Sequence, residues 1–199
     1  DGINTHLVSG AIRGMGFKVA LSGLGGDELF LGYANRRNFH RLARLPGVRA
    51  PARVGAGLAR VALGLGMPVK AERALASMVP PRGVAGAYAA VRTIMGPGTV
   101  LALLHPDLRS RVEPADLDPV SHLDASSLPA DVDGALSRLE LRHYMRSTLL
   151  KDANTLSLAR SLELRVPLVD FQLVDAVLRV PGHLRALGTG KKPLLRAAL

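Results

Sequence analysis

Apolar side chains recur along most of this chain at intervals of three and four residues, the spacing of an amphipathic helix. The longest such pattern begins near Val132 and reaches Leu150, which predicts a long helix. Asp152 or Asn154 could then cap a second, shorter helix. The same spacing predicts several shorter helices elsewhere. These cover residues 2–14, 54–65, 70–79, 85–95, 99–111, 171–180 and 193–199.

Two helix starts near the end of the chain carry additional signals. Residues 164–166 precede Pro167, which keeps the residue before it out of the helical region, so this segment is predicted to be extended. Asp170 then provides an oxygen-bearing cap for the helix that follows. Pro193 fits the first turn of the last helix, where its missing N–H costs nothing.

A different pattern opens the segment of residues 17–33. Val19 and Leu21 alternate with Lys18 and Ala20, which predicts a strand that is at least half buried. Glycines then remove the Cβ atom at three of the next positions, so the backbone can turn sharply and approach a ligand closely. These glycines are Gly23, Gly25 and Gly26.

A helix is predicted after this turn, from Asp27 to about Arg44. Asp27 is the expected N-cap. A phosphate at the helix start would meet free N–H groups, and a Mg²⁺ ion could join it to the Asp27 carboxylate. The alternative is a tight strand-to-helix turn with an ordinary aspartate cap. Spacing alone favours this alternative, because the turn lacks the Lys-Ser/Thr pair of a P-loop.

Composition limits the class of protein. With 199 residues, of which 48% are hydrophobic, the chain can bury one core. The absence of cysteine excludes a disulfide scaffold, a thiolate zinc site and a cysteine nucleophile, and it fits a cytoplasmic location. The most apolar stretch, residues 54–69, is interrupted by Arg60 and by glycines, so no membrane association is expected.

The net charge of +10 is unevenly distributed. Residues 36–73 hold nine Lys/Arg against Glu72 alone, and such a segment could bind nucleic acid or an anionic surface. Few aromatic residues interleave with these charges, so a solvated basic helical face is the favoured interpretation and a nucleic-acid partner is not expected. Residues 113–133 hold six Asp/Glu, no Lys/Arg and several prolines, which predicts an acidic connector.

Two blocks of this chain together resemble the synthetase domain of the asparagine synthetase family. They are residues 21–33, LSGLGGDELFLGY, and residues 156–170, LSLARSLELRVPLVD. Residues 1–5 and 192–196 are also similar to that family, so the resemblance covers nearly the whole chain in the right order. It implies one partial domain, residues 1–199, of a mostly helical α/β fold. The implied fold is of the adenine nucleotide α-hydrolase, PP-loop ATPase type, truncated at both ends.

The resemblance also implies an activity. A complete family member hydrolyses glutamine in an amino-terminal domain, which is missing here, and passes ammonia to the synthetase domain. There ATP and Mg²⁺ activate a carboxylate, aspartate or a related acid, as an acyl-adenylate, and ammonia attacks it to form an amide. This is the chemistry of a cytoplasmic ligase of amino-acid biosynthesis.

The family's site residues transfer to specific positions of this sequence. Ser22 and Gly23 match positions that approach the nucleotide phosphates and the adenylate. Asp27 matches a Mg²⁺-binding carboxylate. Glu163 and Arg165 match a block on the acyl-substrate side. For these last two residues the structural alternative, a buried ion pair that holds the proline turn behind them, is slightly favoured.

Three departures from the family pattern bear on activity. The pyrophosphate loop, Ser-Gly-Gly-x-Asp-Ser, is absent from the sequence, and neither Lys191 nor Lys192 matches the catalytic lysine. Leu24 stands where relatives often carry a group that accepts a proton, which puts aspartate as the substrate in doubt. Losing an electrostatic stabiliser typically costs about 10²–10³ in rate. No catalytic residue is therefore assigned, and the isolated chain is expected to be inactive.

Two other functions remain open at this point. The chain could be a non-catalytic remnant that binds a nucleotide or a partner protein. It could also be a basic nucleic-acid-binding module that uses residues 36–73.

Overall fold

The computed structural model describes residues 2–44, 83–113, 116–187 and 190–198. The chain divides into two compact units, one of residues 1–33 with 127–199 and one of residues 34–126. Within the described ranges the elements are mostly helices, with one small parallel sheet. The fold is therefore a mostly helical α/β fold.

The first unit begins with helix α1 (Gly2–Gly14), strand β1 (Val19–Leu21) and helix α2 (Gly26–Phe30). The predicted helix over residues 2–14 is confirmed. Strand β1 pairs in parallel with β2 (Glu163–Arg165), so that Val19 lies opposite Glu163 and Leu21 lies opposite Arg165. The extended segment predicted before Pro167 is thus confirmed as this second strand.

Strand β1 is more exposed than its sequence predicts. Val19 and Leu21 are 40% and 75% exposed, so the expectation of an at least half-buried strand holds for Val19 and is wrong for Leu21. They share one face of the pair, which the described residues cover only in part. Alternation in sequence identifies the strand, but burial depends on a neighbouring layer.

The long helix of the first unit is continuous from Val132 to Leu158. It consists of helix α7 (Val132–Leu139), a π-helical segment (Glu140–Leu149) and helix α8 (Leu150–Leu158). The predicted start near Val132 is confirmed. The predicted break at Asp152 or Asn154 is wrong, because both residues lie inside α8, which packs along α1.

The first unit ends with a 3₁₀ turn (Pro167–Val169) and helices α9 (Phe171–Arg179), α10 (Gly182–Arg185) and α11 (Pro193–Ala197). The Asp170 carboxylate accepts hydrogen bonds from the backbone N–H groups of Gln172 (2.9 Å) and Leu173 (3.3 Å), which confirms the predicted cap. Pro193 opens α11 as expected.

The core around α2 is apolar. Leu29, Phe30 and Val177 are buried and are surrounded by partly buried aliphatic residues of the π-helical segment, α9 and α11. These neighbours are Leu141, Leu173, Val174, Leu178, Leu194 and Leu195. Burial of such side chains contributes roughly 1.5–3 kcal/mol each. The short helix α2 is therefore anchored by its packing rather than by its length.

The helix predicted from Asp27 to Arg44 is two helices. α2 ends at Phe30, because Leu31 adopts a left-handed conformation with φ 58°, and α3 begins at Arg36. Asp27 is not the N-cap. Gly25 holds that position with φ 93°, which places Asp27 in the first turn. A glycine that adopts the left-handed conformation starts the helix before the aspartate.

The second unit contains helices α3 (Arg36–Arg44), α4 (Gly83–Arg92), α5 (Pro97–Leu103) and α6 (Pro106–Arg109). α3 packs against α4, and Phe39 is fully buried. The helix predicted over residues 85–95 ends at Arg92. The helix predicted over residues 99–111 is α5 and α6, because Leu104 is extended before a new start at Pro106.

The remaining predictions concern loops and residues outside the described ranges. The helices predicted over residues 54–65 and 70–79 lie outside the described residues, as does most of the basic segment. The described residues from 113 to 131 form turns, without a helix or strand among them. None of the helices in the described ranges has the length and apolar character needed to cross a membrane.

Candidate functional site

The two sequence blocks meet at one edge of the sheet. The backbone N–H of Ser22, directly after β1, donates a hydrogen bond of 2.8 Å to the carbonyl of Arg165, the last residue of β2. The carboxyl ends of both strands therefore face the same side. In parallel sheets ligands bind outside this edge.

The glycine turn after β1 packs directly on the turn after β2. A Cβ atom on Gly25 would lie 2.7 Å from Cγ1 of Val169 and 3.0 Å from the carbonyl oxygen of Leu168. Gly25 also has a positive φ of 93°, which side chains rarely adopt. Glycine is therefore required here, and its small size brings residues 22–27 beside residues 167–169.

Gly23, in contrast to Gly25, has open space where a side chain would lie. It is exposed, and a Cβ atom built on it would meet nothing within 4 Å. Beside it, the Ser22 side chain is partly buried, and its hydroxyl oxygen accepts a hydrogen bond of 3.3 Å from the backbone N–H of Leu24. The hydroxyl proton of Ser22 remains able to donate to a phosphate or carboxylate. Open space thus lies next to an oriented donor.

Asp27 forms an ion pair that the sequence did not indicate. Its Oδ1 atom lies 3.1 Å from Nζ of Lys192, and the side chains are 43% and 27% exposed. Gly32 leaves room for this pair, since a Cβ atom there would lie 2.6 Å from Cε of Lys192. Sequence reasoning placed Lys192 in a segment similar to the family and treated it as a mismatch to the catalytic lysine, without a partner. No local signal could connect two residues so far apart along the chain.

The donor set suits a magnesium ion that arrives with phosphates. Among the described residues there is no group of three or more acidic, histidine or cysteine side chains that could hold a metal by itself. Mg²⁺ is usually held by one or two carboxylates together with water and substrate phosphates. Asp27 can supply one carboxylate. Glu28 is 2% exposed and accepts a hydrogen bond from the Tyr33 hydroxyl, so it is directed into the protein.

A buried arginine binds the backbone of α2 near its carboxyl end. Arg185 is 1% exposed, and its Nη1 donates to the carbonyl of Leu29 (2.5 Å) and to Oγ of Ser137 (2.8 Å). Its Nε donates to the carbonyl of Val180 (3.1 Å). Desolvation lowers the pKa of the Arg185 guanidinium, and the charges of Asp131 and Asp133 oppose that change. Sequence reasoning missed this residue among many arginines.

Glu163 and Arg165 form an ion pair on β2. Nε of Arg165 lies 2.8 Å from Oε1 of Glu163, and the side chains are 64% and 55% exposed. The alternative of a buried ion pair is therefore wrong as to burial. The strand register places both side chains on the exposed sheet face of Val19 and Leu21. Exposed pairs contribute about 0–1 kcal/mol, so this pair adds little stability.

Comparison with known proteins identifies the family. The asparagine synthase family model matches residues 1–199. The chain belongs to the asparagine synthase family. This confirms the resemblance that the two sequence blocks predict.

Two curated relatives show the extent of the similarity. The chain is 30% identical over 191 residues to a Mycobacterium tuberculosis protein provisionally named asparagine synthetase, glutamine-hydrolyzing; the match covers 92% of this chain and 27% of that protein. It is also 30% identical over 185 residues to glutamine-hydrolyzing asparagine synthetase 1 of Bacillus subtilis, with 90% and 27% covered. The chain thus spans 27% of the length of each relative. No solved structure matches the chain significantly.

Proposed function

We propose that this asparagine synthase family chain is part of an ATP-dependent amidotransferase. The proposed enzyme adenylates a carboxylate, aspartate or a related acid, and transfers glutamine-derived ammonia to it to form an amide. The observation that carries this proposal is the packing of the turn of residues 22–27 on the turn of Pro167–Val169, at the carboxyl edge of the parallel strands. Family membership supports the same conclusion. The parallel pair also supports a PP-loop ATPase type of fold.

In this proposal the turn after β1 binds the nucleotide. The hydroxyl of Ser22 donates to a phosphate or to the adenylate, and the open space beside Gly23 lets the ligand approach the backbone. Asp27 supplies a carboxylate ligand to the magnesium ion, which neutralises phosphate charge when bound. Glu163 and Arg165 lie on the acyl-substrate side, where the exposed guanidinium can pair with a carboxylate.

The ion pair of Asp27 with Lys192 favours a metal–nucleotide complex over a bare metal ion. Lys192 already neutralises the carboxylate, so a divalent cation alone gains little by binding there. A metal–nucleotide complex brings phosphates that the Lys192 ammonium can contact as well. We therefore propose that the site binds Mg²⁺–ATP more tightly than Mg²⁺ alone.

Leu24 bears on the acyl substrate and on the nucleophile. It is partly buried, and its side chain cannot accept a proton. In the proposed reaction the lone pair of free ammonia attacks the acyl-adenylate without a base at this position. Because relatives often carry a proton acceptor here, the apolar side chain is compatible with a carboxylic acid substrate other than aspartate. In the proposed complete enzyme a glutaminase domain supplies the ammonia.

Calorimetric titration of the chain with Mg²⁺–ATP tests the proposal. We expect the wild-type chain to bind, and Asp27→Asn to weaken the affinity by about tenfold, since a charged ligand is lost. Asp175→Asn removes an exposed carboxylate that pairs with Arg179 at 2.7 Å, and is the matched control with unchanged affinity. Absence of binding by the wild type, or equal binding by Asp27→Asn, would contradict the proposal.

The same purified chain can be tested for adenylation activity in the absence of other domains. Residues 1–199 lack the Ser-Gly-Gly-x-Asp-Ser motif, so the phosphates are without their main binding loop in this chain. We expect ATP–pyrophosphate exchange to stay at the blank level with aspartate or related acids. Exchange above the blank would show that the described groups suffice for adenylation.

One observation favours a second function, nucleic-acid binding through α3. Arg37, Arg41 and Arg44 are exposed on this helix, and the described residues form no ion pair with any of the three. Like charges at these spacings destabilise a helix by about 0.2–0.5 kcal/mol per pair, a cost that a polyanion would relieve. Duplex DNA titrated at several salt concentrations tests this. A log–log slope of several units, lost on changing the three arginines to Gln, would support it, and a near-zero slope would remove it.

A further inference from the structure

The short helix α2 ends with backbone carbonyls that other helices must satisfy. The N–H groups of Leu31 and Gly32 both donate to the carbonyl of Asp27, and the N–H of Leu29 donates to the carbonyl of Gly25. The carbonyls of the last turn have no such partner within the helix, as is general at helix ends. The left-handed Leu31 prevents α2 from continuing to supply one.

Side chains from two other helices take the place of those partners. Oγ of Ser137, on α7, donates a hydrogen bond of 2.7 Å to the carbonyl of Glu28. Nη1 of Arg185, on α10, donates to the carbonyl of Leu29 at 2.5 Å and to Oγ of Ser137 at 2.8 Å. The guanidinium is thus at the negative end of the α2 dipole, where a cation is stabilising.

These groups are shielded from water. Leu29 and Ser137 are 0% exposed, Arg185 is 1% exposed and Glu28 is 2% exposed. Hydrogen bonds from a charged donor are stronger than neutral ones, and a buried carbonyl without a partner costs about 1–3 kcal/mol. Water could not readily replace Arg185 at this place.

The helix that carries Arg185 is held at its start by a neighbouring carboxylate. Oδ2 of Asp131 accepts a hydrogen bond of 2.6 Å from the N–H of Gly182, the first residue of α10, and one of 2.9 Å from the N–H of Gly134 in α7. The same side chain is the N-cap of α7. Asp131 therefore joins the starts of the two helices that carry Ser137 and Arg185.

We propose that Arg185 is a positioning residue for the metal–nucleotide site, which holds the Asp27 carboxylate in place by fixing the last turn of α2. Asp27 directly precedes Glu28, whose carbonyl Ser137 holds, and lies two residues before Leu29, whose carbonyl accepts from Arg185. Movement of α2 would shift Asp27 relative to Ser22 and Gly23. This inference rests on the proposed function, since it assigns Asp27 to the metal–nucleotide complex.

The test is binding of Mn²⁺–ATP to the chain, followed by the electron paramagnetic resonance spectrum of the bound Mn²⁺. Arg185→Met keeps an unbranched apolar side chain but removes the guanidinium with its charge and donors, whereas Arg185→Lys keeps the charge. Arg179→Met, in an exposed pair with Asp175 at 2.7 Å, is the matched control. Circular dichroism and urea unfolding give the folded fraction of each variant.

We expect folded Arg185→Met to bind Mn²⁺–ATP about tenfold more weakly with an altered Mn²⁺ spectrum, Arg185→Lys to recover part of the loss, and Arg179→Met to match the wild type. If Arg185→Met does not fold, Ser137→Ala tests the same contacts with a smaller change, and weaker binding is again expected. Folded variants with wild-type affinity and spectrum would overturn the inference while the proposed function stands. No binding by the wild-type chain would overturn both.

Discussion

Asp27 and Lys192, at opposite ends of the sequence, form an ion pair of 3.1 Å beside the turn that follows β1. The lysine lies at the start of α11 in a left-handed conformation, with φ 54°. A non-glycine residue in this conformation is uncommon and costs energy. The surroundings of the pair therefore hold the ammonium close to the carboxylate that we assign to the metal–nucleotide complex.

Replacing Lys192 should have opposite effects on two ligands. Lys192→Met removes the charge that neutralises Asp27, so the affinity for bare Mn²⁺ should rise about two- to fivefold, as expected for a partly exposed pair. The affinity for Mn²⁺–ATP should fall, because the phosphates lose a cation. Electron paramagnetic resonance of free Mn²⁺ measures both affinities. Lys191→Met changes an exposed neighbouring lysine and should leave both affinities unchanged. If Lys192→Met changed the affinities for both ligands in the same direction, the assignment would be contradicted.

Two glycines of one turn should respond differently to the same substitution. Gly25→Ala should lower the free energy of unfolding by about 1–3 kcal/mol, because the position has a positive φ and a Cβ atom would contact Val169. Gly23→Ala should change it by less than about 0.5 kcal/mol, since that side is open. Urea unfolding measures both.

The same pair separates stability from binding. Gly23→Ala fills the space that we assign to the ligand, so it should weaken Mg²⁺–ATP binding in a fully folded chain. Unchanged affinity in this variant would place the ligand elsewhere.

Asp131 should be more important for stability than Asp170, although both cap helices. Among the described residues Asp170 accepts hydrogen bonds from its own helix, and Asp170→Ala should cost about 1 kcal/mol. Asp131 caps α7, accepts from Gly182 and lies near the buried charge of Arg185, so Asp131→Ala should cost about 2–4 kcal/mol. Thermal and urea unfolding compare them, and equal costs would show that the contact with Gly182 adds nothing.

The exposed ion pair of β2 should contribute little to stability. Glu163→Gln should change the free energy of unfolding by less than about 1 kcal/mol, because both side chains are more than half exposed. Raising the salt concentration should remove any difference between the variant and the wild type. A loss well above this value in urea unfolding would indicate a structural role that the exposed geometry does not explain.

Much of the fold could be predicted because its signals are local. The spacing of apolar residues identifies α1 and the start of α7, the carboxylate of Asp170 identifies the start of α9, and Pro193 identifies that of α11. Each signal acts within one or two turns of the chain. The two motif blocks likewise identify the family without any knowledge of the fold.

The remaining features depend on contacts between distant residues. α2 ends where Leu31 adopts a left-handed conformation. A leucine side chain gives no signal in the sequence for that conformation. The exposure of β1 depends on the layer beside it, and spacing in sequence carries no information on that layer. Lys192 and Arg185 reach α2 from the far end of the sequence, so no local pattern could assign either of them to the candidate site.

The π-helical segment of Glu140–Leu149 determines the directions in which side chains of α7 and α8 point at the two ends of the long helix. Each π-helical residue advances the side chains by a smaller angle than the 100° of an α-helix. The ten residues of this segment therefore rotate α8 with respect to α7. Ser137 is directed towards α2 while Ala153 and Ser157 are buried in α8, which packs along α1. Deleting a single residue from the segment would change this rotation and turn one of the two faces away from its partner.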